Sequence, residues 1–143
     1  MKLQRNTLLA LYSVLEYAAE PARQLSAAEI AAKYGASAHH VAKVLRRLGG
    51  AGLLRSVRGA GGGYRFAGNA KRVTLMDVIE LFEDVGAGAP RTRRRASEMA
   101  VHAVLVEIDE TARATFLSIT IKTMLKLCGR LSLPRRIVAH RRN

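Results

Sequence analysis

The stretch Ser37–Phe66, SAHHVAKVLRRLGGAGLLRSVRGAGGGYRF, constrains the fold more than any other part of the chain. Its first half has helical periodicity. At about 100° per residue, Val41, Val44, Leu45 and Leu48 fall on one narrow stripe. His39, Lys43, Arg46 and Arg47 fall on the opposite side, with His40 at the edge. The second half reads as two short strands, Leu53–Val57 and Tyr64–Ala67, joined by a tip at Arg58–Gly63. Glycines let such a tip take positive φ angles and let its backbone approach another molecule closely. A helix delivered by a tight turn, with a basic hairpin beside it, is the layout of a winged helix-turn-helix.

The residues before this stretch supply the turn. Ser26 followed by Glu29 is a capping-box pattern that opens a helix. Ile30, Ala31 and Tyr34 form its buried side. Gly35 stands where a helix stop favours a left-handed residue, and Ser37 is placed to cap the next helix. Upstream, Asn6–Ala19 predicts a first helix, with Leu8, Leu11, Tyr12 and Leu15 on its buried face and Pro21 ending it. Leu9 and Val14 lie off that stripe and are expected to face a second subunit.

Downstream, Thr74 and Asp77 cap a fourth helix whose core stripe is Leu75, Val78, Ile79 and Phe82. A loop over 85–96 follows, with the basic run Arg91–Arg95, which is either solvated or helps hold DNA. From about Ser97 to Leu117, Val101, Leu105, Ile108, Ala112 and Phe116 repeat at steps of four and three, a coiled-coil-like seam expected to meet a second subunit. Thr120 caps a shorter helix with Ile121, Met124 and Leu125 inward. The predicted fold is mainly α with a small two-stranded wing. A winged helix-turn-helix domain over 1–84 is followed by the basic loop, dimerisation helices over 97–128, and a basic, mobile tail over 129–143.

Charge narrows the function. Lysine and arginine outnumber aspartate and glutamate by 24 to 11, leaving +13. So large a charge repels itself unless a polyanion is near, which points to nucleic acid first and an anionic membrane second. The apolar run Leu8–Leu15 is interrupted by Glu16 and suits an amphipathic helix better than a secretory signal, so a cytoplasmic protein without a membrane partner is expected. One cysteine, Cys128, leaves no multi-cysteine metal site within a chain. The glycine tip is not a nucleotide loop: a G-x-G-x-x-G frame from Gly59 needs glycine where Tyr64 stands, and no helix follows. No catalytic constellation is present. The histidines lack H-E-x-x-H spacing, and Glu83–Asp84 and Asp109–Glu110 are adjacent pairs that point about 100° apart on a helix.

Double-stranded DNA is therefore the expected partner. Ser37, His39, His40 and Lys43, near the start of the third helix, are candidates for base edges, and Arg46 and Arg47 for phosphates. Arg58 and the backbone of Gly59, Gly61 and Gly62, flanked by Tyr64 and Arg65, are candidates for the minor groove or the phosphate backbone. The rival reading is a basic protein that coats nucleic acid without sequence preference.

Several strings together resemble the Rrf-two family of bacterial winged-helix regulators, the group of the IscR, NsrR and CymR types. They are Met1–Leu3, Glu29–Ala31, Val44–Leu48 with Ala51–Leu53, the wing Ser56–Arg65, Thr74–Ile79 and Ser118–Ile121. The resemblance implies a homodimer on a palindromic operator, more often a repressor. It also exposes a departure. Iron–sulfur members carry three cysteines in the loop before the long helix, and 85–97 here has none. A cluster needs several sulfur ligands, so none is expected. The signal is left open between a small molecule, a partner protein and oxidation of Cys128. For Cys128 itself, a buried small hydrophobe beside Leu125 and Leu127 is preferred over a redox sensor.

Overall fold

The computed structural model describes residues 2–59, 61–84 and 95–132. Among them are six helices and two strands: α1 (Arg5–Ala19), α2 (Ala27–Tyr34), α3 (Ala38–Gly50), β1 (Leu54–Val57), β2 (Gly63–Phe66), α4 (Leu75–Ile79), α5 (Ala96–Ser118) and α6 (Ile121–Ser132). The fold is mainly helical with a two-stranded antiparallel wing, as expected.

Helix α1 buries a different face from the one its leucines suggest. Thr7, Ala10, Ser13, Val14 and Tyr17 are fully enclosed, and Leu9 and Leu11 are buried, whereas Leu8 and Tyr12 are exposed. Leu9 and Val14 thus belong to the chain's own core and not to another subunit. Small and hydroxyl-bearing residues can line a core when their polar groups are satisfied. Thr7 donates to Glu83 at 2.5 Å, and Ser13 to the Leu9 carbonyl at 2.7 Å. Counting only large apolar residues hides such a stripe. Tyr12 instead stacks on Tyr34 of α2, ring centroids 5.2 Å apart.

Both predicted caps of the turn are present. Ser26 and Glu29 form a reciprocal capping box at the start of α2, and Gly35 closes it with φ 61°. The next helix, α3, continues through Gly49 and Gly50 before turning at Ala51–Gly52, where Gly52 has φ 78°. Glycine weakens a helix by about 1 kcal/mol but does not forbid one. At Gly49 the missing side chain leaves room for Tyr64: a Cβ there would lie 3.5 Å from its ring.

The wing pairs Leu54 with Phe66, Arg55 with Arg65, Ser56 with Tyr64 and Val57 with Gly63. Leu25, just before α2, adds a single bridge on the far edge of β2. Its N–H donates to the Tyr64 carbonyl at 3.1 Å, and the Tyr64 N–H donates back at 2.9 Å. The wing is therefore hung from the α1–α2 connection as well as from α3.

After α4, capped by Thr74 and Asp77 as predicted, the chain leaves the core and returns. A second bridge joins Thr74 to Thr120, flanked by Leu75 N–H to Ile119 O at 2.9 Å and Ile121 N–H to Val73 O at 2.8 Å. Ile121 is fully buried in the same core as α1 to α4. Helix α6 runs on to Ser132, so Gly129–Ser132, expected in a mobile tail, are helical. Most of the predicted basic run and the rest of the tail lie outside the described residues. No residue of α5 is fully buried, and only Phe116, near its end, packs on the chain's own core.

Candidate nucleic-acid interface

Helix α3 is fixed by one face and charged on the other. Val41, Val44, Leu45 and Leu48 are buried, each contributing about 2 kcal/mol by removal from water. Ser37 accepts the His40 N–H at 3.1 Å, so its hydroxyl acts as the helix cap and stays at the surface. Opposite the stripe, His39, Lys43, Arg46 and Arg47 are exposed. Arg47 is not a free rod: its guanidinium lies 5.3 Å from the centre of the Phe82 ring, a cation–π contact that pins it near α4. His40 is half-buried, and its Nε2 is buried without a hydrogen-bond partner among the described residues.

On the wing, Arg58 is exposed at the end of β1. Gly59 and Gly61 have φ 128° and 77°, as a glycine tip predicts, and Gln24 donates to the Gly61 carbonyl at 2.5 Å. Gly63 serves a different end. A Cβ there would sit 2.4 Å from the Leu25 carbonyl oxygen, so the residue is glycine because the bridge to Leu25 runs against it. Tyr64, a candidate DNA contact, is half-buried; its ring packs on Gly49 and the core, and holds the wing to α3. Arg65 is half-buried, with its Nε unpartnered. Sequence reasoning missed Arg55, its exposed cross-strand neighbour; the signal was the alternation of β1, which puts Leu54 inward and Arg55 outward.

The electrostatics are one-sided. Between Glu29 and Asp77 the sequence has no acidic residue, while helix and wing carry Lys43, Arg46, Arg47, Arg55, Arg58 and Arg65. Two acids on the preceding helices are occupied. Glu29 is held below the usual carboxylate range by the Ser26 N–H and hydroxyl. Burial pushes Glu16 up, but bonds from Lys33 (2.7 Å) and Tyr34, and the charge of Lys33, outweigh it and lower the group overall. Lys33 is thereby paired with Glu16.

On α5, Val101, Leu105 and Ile108 of the predicted seam are each more than half exposed, together with Met99 and Val104. Ala112 and Phe116 are half-buried, and Phe116 leans on the chain's own core. Cys128 is exposed on α6, contrary to the expected burial beside Leu125 and Leu127, because α6 keeps only Ile121 fully inside and its later turns lie on the surface. Among the described residues no three His, Cys, Asp or Glu side chains gather as a metal site.

Residues 3–127 match the Rrf2 (Rrf-two) family model, described as an iron-dependent transcriptional regulator. The chain belongs to the Rrf2 family. Rhodopseudomonas palustris BadM, named as an HTH-type transcriptional regulator, is 54% identical over 129 residues, 89% of this chain and 83% of that one. NsrR of Bacillus subtilis is 35% identical over 85 residues, 59% of this chain and 58% of its own. The fold matches the CymR global cysteine regulator of B. subtilis with a TM-score of 0.72 at 24% identity, covering 89% of this chain and 98% of that one. It matches IscR of T. potens with a TM-score of 0.68 at 24% identity, covering 95% and 94%. This Rrf2 protein is a DNA-binding transcriptional regulator and not an enzyme. The chain offers one thiol, Cys128, where an iron–sulfur cluster takes several sulfur ligands. No helix among the described residues is long and apolar enough to cross a membrane.

Proposed function

We propose that the protein is a repressor that binds a palindromic operator as a homodimer and carries no iron–sulfur cluster. The observation that carries the DNA-reading half is the exposed basic face of α3 beside exposed Arg58, on a stretch without a single acid. Residues early in α3 reach base edges in the major groove, Arg46 follows the phosphates, and Arg58 enters the neighbouring groove. The dimer is supported by the apolar face of α5, which its own chain leaves bare; patches of this kind mark partner surfaces. Two copies paired there would set half-sites one DNA turn, roughly 10 bp, or a multiple apart.

Sequencing the genomic fragments retained by the purified protein tests the reading. The expected result is an inverted repeat upstream of a few genes, bound about 10³-fold or more tighter than random DNA. Random DNA competing equally would favour the coating reading instead. Arg58→Ala should weaken operator binding by about 1–3 kcal/mol. Leu105→Glu should shift the protein toward monomer in sedimentation. Anaerobically purified protein should contain neither iron nor sulfide.

A further inference from the structure

We propose that Arg55 and Arg65 form a phosphate-binding pair on the outer face of the wing, each neutralising one charge of the DNA backbone. The two residues stand directly opposite each other on β1 and β2. Side chains alternate along a strand, so this face is the one turned away from buried Leu54 and from Phe66, which packs on the core. Directly opposed side chains have their Cβ atoms about 5 Å apart, and like charges so placed destabilise a hairpin.

Nothing among the described residues relieves that repulsion. Neither arginine belongs to an ion pair among the described residues, and the sequence offers no acid between Glu29 and Asp77. Arg65 is half-buried, and its Nε has no hydrogen-bond partner among the described residues. A threonine or valine would suit either position of the strand better in the free protein. An anion relieves the repulsion and gives both cations a partner. Strand register sets the two arginines opposite each other, and a guanidinium matches phosphate oxygens in geometry and in sign. Arg58 directly follows β1 at the hairpin tip, so the anion lies beside that tip and is a phosphodiester of the duplex that the tip engages.

The pair rests on the protein's engagement of duplex DNA, and the test separates the two. Fluorescence anisotropy with a mixed-sequence duplex of about 30 bp, three helical turns, is measured from about 50 to 200 mM salt. R55Q/R65Q should flatten the slope of log affinity against log salt by about two units, and R55Q alone by about one. R55K/R65K should restore the slope, because charge and not the fork sets counterion release. The free R55Q protein should melt at or above the wild-type temperature, where a merely structural arginine would lower it. A wild-type slope in both glutamine variants overturns the pair. If R55Q/R65Q does not fold, the exposed single site in R55Q decides. A wild-type protein without salt-dependent affinity overturns the DNA reading itself.

Discussion

Gly63→Ala probes how the wing is hung. The added Cβ would lie 2.4 Å from the Leu25 carbonyl oxygen, 2.7 Å from its carbon and 3.0 Å from the Ser26 nitrogen. All three are backbone atoms, so no side chain can swing aside. The chain must therefore open the Leu25–Tyr64 bridge, losing two hydrogen bonds of 3.1 and 2.9 Å. At about 1 kcal/mol net for each bond, and with residual crowding of about 1 kcal/mol or more, the expected loss is roughly 2–4 kcal/mol. Urea unfolding followed by circular dichroism reads this as a lower midpoint. Gly62→Ala is the matched control. Its Cβ would meet the Gly59 and Val57 carbonyl oxygens at an ordinary 3.4 Å, and its φ is not in the left-handed region. Alanine at such a position leaves stability unchanged or raises it by about 0.5 kcal/mol. If the two variants unfolded within about 0.5 kcal/mol of each other, the claim that Leu25 and Gly63 lock the wing would be wrong.

Three further outcomes follow from the same structure. Thr74→Ala removes the cap of α4 and should cost about 1 kcal/mol in urea unfolding while DNA affinity holds. Tyr17→Phe removes the buried bond from its hydroxyl to the Leu25 carbonyl at 2.9 Å and should cost about 1 kcal/mol. Glu83 is held below the usual carboxylate value of 4.5 by the Thr7 hydroxyl and the Gln4 N–H. Its folded value is the lower one, so its contribution to stability is present above the unfolded value and disappears as pH falls through the folded one. The stability gap between wild type and Glu83→Gln should therefore shrink on going from about pH 6 to about pH 3; a gap that stayed constant would refute the assignment.

The elements set by local chemistry were readable from the chain alone. The caps at Ser26, Ser37 and Thr74 and the left-handed stop at Gly35 need only neighbours a few residues away. The stripe of α3 is unambiguous because its other side is charged. Helix α1 was misread because tertiary packing, not residue size, chose its inner face: Thr7, Ala10 and Ser13 are enclosed, whereas Leu8 and Tyr12 remain outside. The glycine string was read as a single device and proved to be two. Gly59 and Gly61 turn the chain, while Gly63 yields space to a segment nearly forty residues earlier, which no local pattern announces. Tyr64 and Arg47 were placed among the DNA contacts by position, but their partners, Gly49 and Phe82, are set by the fold. The exposure of Cys128 depends on where α6 leaves the core, and that is not written in its own residues.

The return of the chain at Ile121 has a practical corollary. A fragment ending at Asp84 would hold every candidate DNA contact of α3 and the wing yet lack Ile121, a fully buried member of the core that α1 and α4 share. The Thr74–Thr120 seam would also be left open at one side. Anyone seeking a minimal DNA reader from this scaffold should keep α6, joined by a shortened connection in place of α5, instead of trimming the chain after Asp84.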